Sequence, residues 1–144
     1  MTALFLGLAL IPSAPALKGP AKGDSPSIEG VWQLVEWNQK GAPVEFWDGQ
    51  TVEFTPDGKR ICQESPGAVD ERSYKLIPKT SPAAIDLIRP SGGAEPTVHP
   101  SIYKIDGDTL TISVGIPTGE RPTSFESNSA DVRMVMTYKR VKKK

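Results

Sequence analysis

Residues 103–114 read YKIDGDTLTISV. Leu110, Ile112 and Val114 alternate with Thr109, Thr111 and Ser113, the period of two that places successive side chains on opposite faces of a strand. Asp106-Gly107 joins this run to the β-rich stretch before it, and such a dipeptide between alternating runs is a strong tight-hairpin signal. The unit is therefore an antiparallel hairpin with one apolar face. The rest of the chain extends the same pattern.

GVWQLVEW (30–37) alternates from Gly30 and Trp32, and QTVEF (50–54) sets Val52 and Phe54 opposite Thr51 and Glu53. TPDGK (55–59) has Pro, Asp and Gly where a type I turn with a glycine bulge wants them. Strands follow through RICQE (60–64) and RSYKLI (72–77), the latter with Tyr74 and Leu76 on one face. PKTSP (78–82) breaks the chain, AAIDLIR (83–89) alternates Ile85 and Leu87 against Asp86, and PSGGAEP (90–96) breaks it again before SIYKI (101–105). The last strand, VRMVMTYKR (132–140), aligns Val132, Met134, Met136, Tyr138 and Arg140 on one face. With 13 Gly and 14 Pro among 144 residues, turns are frequent and long helices are not expected.

The pattern predicts an all-β domain, an eight-stranded antiparallel up-and-down barrel. Eight antiparallel strands joined by short connections gain most by closing, since closure removes exposed edges. A β-sandwich is the alternative. The one long connection, GIPTGERPTSFESNSAD (115–131), has the length of a loop with a functional or packing role.

Around this domain, 28–141, the ends read differently. TALFLGLALI is an apolar core, and Ala14 and Ala16 form an A-x-A pattern, so residues 1–16 are predicted to be a signal peptide cut after Ala16. The region before that core carries no Lys or Arg. Residues 17–27 read as a flexible linker and 142–144 as a basic tail. An exported protein of the periplasm, cell envelope or exterior is expected, with no transmembrane span. Five of the 17 basic residues fall in KRVKKK (139–144), leaving an acidic body that argues against a nucleic-acid partner.

Few residues suggest chemistry. Cys62 is the only cysteine and reads as a small core hydrophobe. His99, the only histidine, reads as an exposed turn residue beside Pro100; an axial haem or metal ligand at a barrel mouth is the competing reading. Asp106 and Asp108 are explained by turn chemistry. No acid, base or nucleophile is placed for catalysis, so neither an enzyme nor a cofactor or metal is expected.

The motifs EGVWQLV, GAPV, AIDL, YKIDGDTLTI and RPTSF, in this order, resemble the lipocalin-like domain family of unknown function abundant in planctomycete bacteria. The resemblance covers about Ile28 to Val141 and implies a calycin-type barrel, often behind a signal peptide, with no established activity. The wider lipocalin likeness implies structural closure of the barrel: Gly30 and Trp32 on the first strand, with Arg140 from the last strand over the indole. A cation–π contact of that kind is worth about 0.5–2 kcal/mol.

Two functions compete. In the first, a small apolar or amphipathic molecule binds at the barrel mouth, with Phe54, Tyr74, Leu87, Met134, Met136 and Arg121 as candidate ligand-binding residues. In the second, the barrel is filled and serves as an envelope interaction domain, its partner met by exposed Trp37 and Trp47. The predicted interior holds few small residues, which favours a filled or nearly filled barrel. Phe125 is expected to pin the long loop to the barrel near Arg121.

Overall fold

The computed structural model describes residues 27–91, 94–117, 119–127 and 133–142; the predicted signal peptide, the linker up to residue 26, Val132 and the last two lysines lie outside them. Nine strands run in chain order: β1 (Gly30–Gln39), β2 (Ala42–Pro43), β3 (Thr51–Phe54), β4 (Lys59–Ser65), β5 (Ala68–Ile77), β6 (Ala83–Ser91), β7 (Ala94–Asp106), β8 (Thr109–Val114) and β9 (Met134–Arg140). All pairings are antiparallel between neighbours in sequence, apart from β3 joining β1 across the two-residue β2, and β1 also pairs with β9. The sheet closes into an eight-stranded up-and-down barrel, with β2 folded back on the end of β1. That closure excludes the sandwich. No helix among the described residues is long and apolar enough to cross a membrane.

Turn chemistry sets the hairpins. Asp106 pairs with Thr109, so the tight turn is centred on Gly107 and Asp108, one residue later than the dipeptide suggests. Gly107 takes φ +61°, as the first central residue of a primed hairpin turn requires. At 55–59 the Thr55 amide bonds the Lys59 carbonyl at 2.9 Å, and Gly58 has φ +90°.

One end is the floor. Trp32 is fully buried, and its indole Nε1 donates to the Ile28 carbonyl at 2.8 Å. Arg140 lies over it, 4.1 Å from guanidinium carbon to ring centroid. Its Nη1 and Nη2 donate to the carbonyls of Glu29 and Ser27. Phe54, Leu34, Ile85 and Leu110 fill the layers above, each fully buried side chain contributing about 1.5–3 kcal/mol.

Three features depart from the sequence reading. First, the β1–β9 register slips between Leu34 and Glu36, a bulge at Val35. An extra residue re-aims every later side chain, so Trp37 rather than Glu36 pairs with Met136 and faces inward. Second, β7 begins at Ala94, so His99 and Pro100 lie within a strand, not on a turn. Third, the long loop packs across the outer wall instead of standing at the mouth. Ala84, Ile102, Ser113 and Val135 form one cross-strand row facing outward on β6–β9, yet all four are buried. Phe125 lies beside Val135 and under the Lys104 ammonium, 4.8 Å from its ring centroid. Arg121 fastens the loop. Its Nη1 donates to the carbonyls of Ser101 (2.9 Å) and Ile85 (3.2 Å), and its Nη2 pairs with Asp86 at 2.8 Å. These partners flank Pro100, which has no N–H to offer the β6–β7 ladder.

Candidate ligand-binding cavity

Above the floor the barrel is not filled, contrary to the sequence expectation. A cavity of about 480 Å³ opens between the strands, within the range of small-molecule sites. Its apolar wall comes from Val52 and Phe54 on β3, Leu87 on β6, Ile112 and Val114 on β8, and Met134 and Met136 on β9. Trp37, turned inward by the bulge, joins them, and Phe46 and Trp47 stand at the rim on the connection 44–50. Trp47 is held there by close contact with the backbone: a Cβ on Gly49 would lie 2.5 Å from the indole Cζ2.

β4 and β5 contribute polar side chains to the wall where a filled core needs apolar ones. Arg60, Cys62, Glu64 and Arg72 all line it. Arg72 is an ion-pair centre, with Asp70 at 2.8 Å and Glu64 at 3.4 Å. Arg60 is buried and donates from Nε to the Ser73 carbonyl at 3.2 Å and from Nη2 to the Ile88 carbonyl at 3.5 Å. Burial disfavours its charge, but a guanidinium stays protonated in proteins. Cys62 is a buried free thiol whose pKa burial pushes up, which makes it inert rather than nucleophilic. Tyr138 is buried as well; its phenol pKa is raised by desolvation, and among the described residues the hydroxyl reaches only the Met136 sulfur, at 3.7 Å. His99 faces the cavity from β7, with Nδ1 3.0 Å from the Gly115 carbonyl. A carbonyl only accepts, so that nitrogen carries the proton.

Of the residues singled out from sequence, Phe54, Leu87, Met134 and Met136 meet in this cavity. Tyr74 does not line it. Its ring stands edge-on to Phe54 at 5.1 Å, and its hydroxyl donates to the Thr55 carbonyl at 2.5 Å, near the floor. Arg121 is on the outer wall, as the loop's fastening. Gly30, Trp32 and Arg140 come together at the floor. Sequence reasoning missed Arg60, Arg72, Trp37 and Phe46. The two arginines were within reach, since Arg72 is two residues before Tyr74 and Arg60 two before Cys62, on the same strand faces.

Fold and cavity together define a lipocalin-like barrel open at one end and sealed at the other by an arginine-capped tryptophan. No protein-family model, curated protein or solved structure matches the chain.

Proposed function

We propose that the protein is a small-molecule binding protein that takes one apolar or amphipathic guest into the barrel, past Phe46 and Trp47. The observation that carries this reading is the cavity itself, about 480 Å³ walled by Leu87, Met134, Met136 and aromatic rings. Methionine adapts to irregular guests, and polar groups set among apolar ones fix a guest's orientation in such sites. The apolar stretch ahead of Ala16 supports an exported protein, and the Gly30–Trp32–Arg140 floor supports membership of the lipocalin-like family. Trp47 is exposed at the rim, as the interaction-domain reading expects, but Trp37 is half-buried, and both line the cavity.

The test uses Nile red, a neutral dye that brightens in apolar surroundings, titrated into the full chain. Saturable one-to-one binding is expected, with energy transfer from tryptophan. Met136→Trp fills the cavity and should weaken that binding while leaving cooperative melting intact. No saturable enhancement, or equal enhancement in the filled variant, overturns the reading.

A further inference from the structure

The cavity wall carries charge in an arrangement that selects among guests. Arg60 and Arg72 are direct cross-strand partners facing the same interior. Like charges in that position repel. Arg72 is compensated by Asp70 and Glu64. Arg60, only 9 % exposed, has no carboxylate partner among the described residues and bonds only two main-chain carbonyls through Nε and Nη2. A buried cation without a counter-ion is unfavourable unless something else supplies the anion.

A second under-used donor shares that cavity. Among the described residues the Tyr138 hydroxyl has a thioether as its only partner, and sulfur is a weak acceptor. Both groups sit low in the barrel. Arg60 pairs with Phe54, and Tyr138 pairs with Leu34 and Leu110, one step above the layer of Trp32 and Arg140. Met134, Trp37, Phe46 and Trp47 lie toward the mouth. The site is therefore cationic and hydrogen-bond-donating at depth, with an apolar wall above and Glu45 and Arg89 exposed at the rim.

Building on the proposed binding role, we infer that the guest is an amphipathic carboxylate bound head-down, its carboxylate on the Arg60 guanidinium and the Tyr138 hydroxyl, its apolar body rising between Met134, Met136 and Trp47. A guanidinium fork matches the two oxygens of a carboxylate. The Glu64 and Asp70 carboxylates, by engaging Arg72, leave Arg60 as the buried cation of the cavity with no carboxylate in ion-pair range among the described residues, whereas Arg89 at the rim is exposed to solvent.

The experiment compares two probes of equal chain length, dodecanoate and dodecanol, by displacement of Nile red from the full chain and by calorimetry. Dodecanoate should bind about 10- to 100-fold tighter, the worth of one or two hydrogen bonds to a charged group. Arg60→Met should abolish that preference and Arg60→Lys should keep part of it. Tyr138→Phe should weaken dodecanoate several-fold while sparing dodecanol, and it alters no charge, so it keeps the test decisive if Arg60→Met fails to fold. Equal binding of the two probes, or a preference that survives Arg60→Met, overturns the head-down assignment. If Nile red binds and neither probe displaces it, the head-down assignment falls and the cavity reading stands. If Nile red itself does not bind, the cavity reading fails first and takes the assignment with it.

Discussion

Arg140 roofs Trp32 at the closed end of the barrel, and Gly30 is the residue that lets it do so. The guanidinium lies 4.1 Å from the indole centroid, and a Cβ on Gly30 would come within 3.0 Å of Arg140 Nη1. Gly30 also has φ +121°, a conformation side chains rarely adopt. The indole, its cation and the carbonyls just ahead of β1 form one unit, because the guanidinium that covers the ring also bonds Glu29 and Ser27.

Arg140→Ala should cost about 2 kcal/mol in urea unfolding, from the cation–π contact and two lost hydrogen bonds. Gly30→Ala should cost about 1–3 kcal/mol through backbone strain and collision with Arg140. The double variant should be less unstable than the sum by at least about 0.5 kcal/mol, since removing Arg140 relieves the collision. Strict additivity would show that the two residues do not meet.

Arg121→Ala should release the loop from the outer wall without unfolding the barrel. The side chain is one-third exposed, so screening discounts the ion pair; loss of the two main-chain bonds leaves an expected cost of about 1–2 kcal/mol. Proteolysis within 115–127 should accelerate more than the change in melting temperature explains, because local opening is decoupled from global unfolding. Equal protease resistance in the variant would contradict the fastening role.

Two exposed aspartates should shape the acid limb of stability. Asp57 accepts a hydrogen bond from Thr55, and Asp108 pairs with Lys142; both contacts hold the carboxyl below its ordinary value of 3.8. A depressed folded pKa contributes stability that is present above the unfolded value and lost as pH falls through the folded one. Asp108→Asn should therefore melt below the wild type from about pH 5 upward, and the gap should close as pH falls below about 3.8. A gap that persists at the lowest pH would mean that charge is not its cause.

Gly49→Ala tests how Trp47 is held at the rim. The added methyl collides with the indole, not with main chain, so the ring must swing while the fold survives. Tryptophan emission and Nile red affinity should change, with stability shifted by no more than about 0.5 kcal/mol. Unchanged emission would show that Trp47 is not stacked on this segment.

Arg60→Met should leave the unliganded protein as stable as the wild type or raise its stability by about 1–4 kcal/mol, since it removes an uncompensated buried charge. Thermal melts without ligand read this directly. A loss of several kcal/mol would mean that Arg60 is a structural strut.

Local patterning was enough to read most of the strands and turns. Period-two alternation in TLTISV and the glycines of TPDGK and IDGDT act over a few residues, so local chemistry is enough to read them. The lipocalin likeness paired Trp32 with Arg140, which shares a strand face with Met134, Met136 and Tyr138. Tertiary structure decided the rest. The bulge at Val35 adds one residue whose effect appears only against β9, and it turns Trp37 from the surface into the cavity. Arg60 and Arg72 share a face with Cys62 and Tyr74, yet polarity alone sends such residues outward on paper; only closure of β4 and β5 into the wall makes them interior. Ser113 and Ala84 do point outward, as alternation requires, but the 115–127 loop buries them. In each case the deciding partner is a strand or loop distant in sequence, and only closure of the barrel brings it into contact.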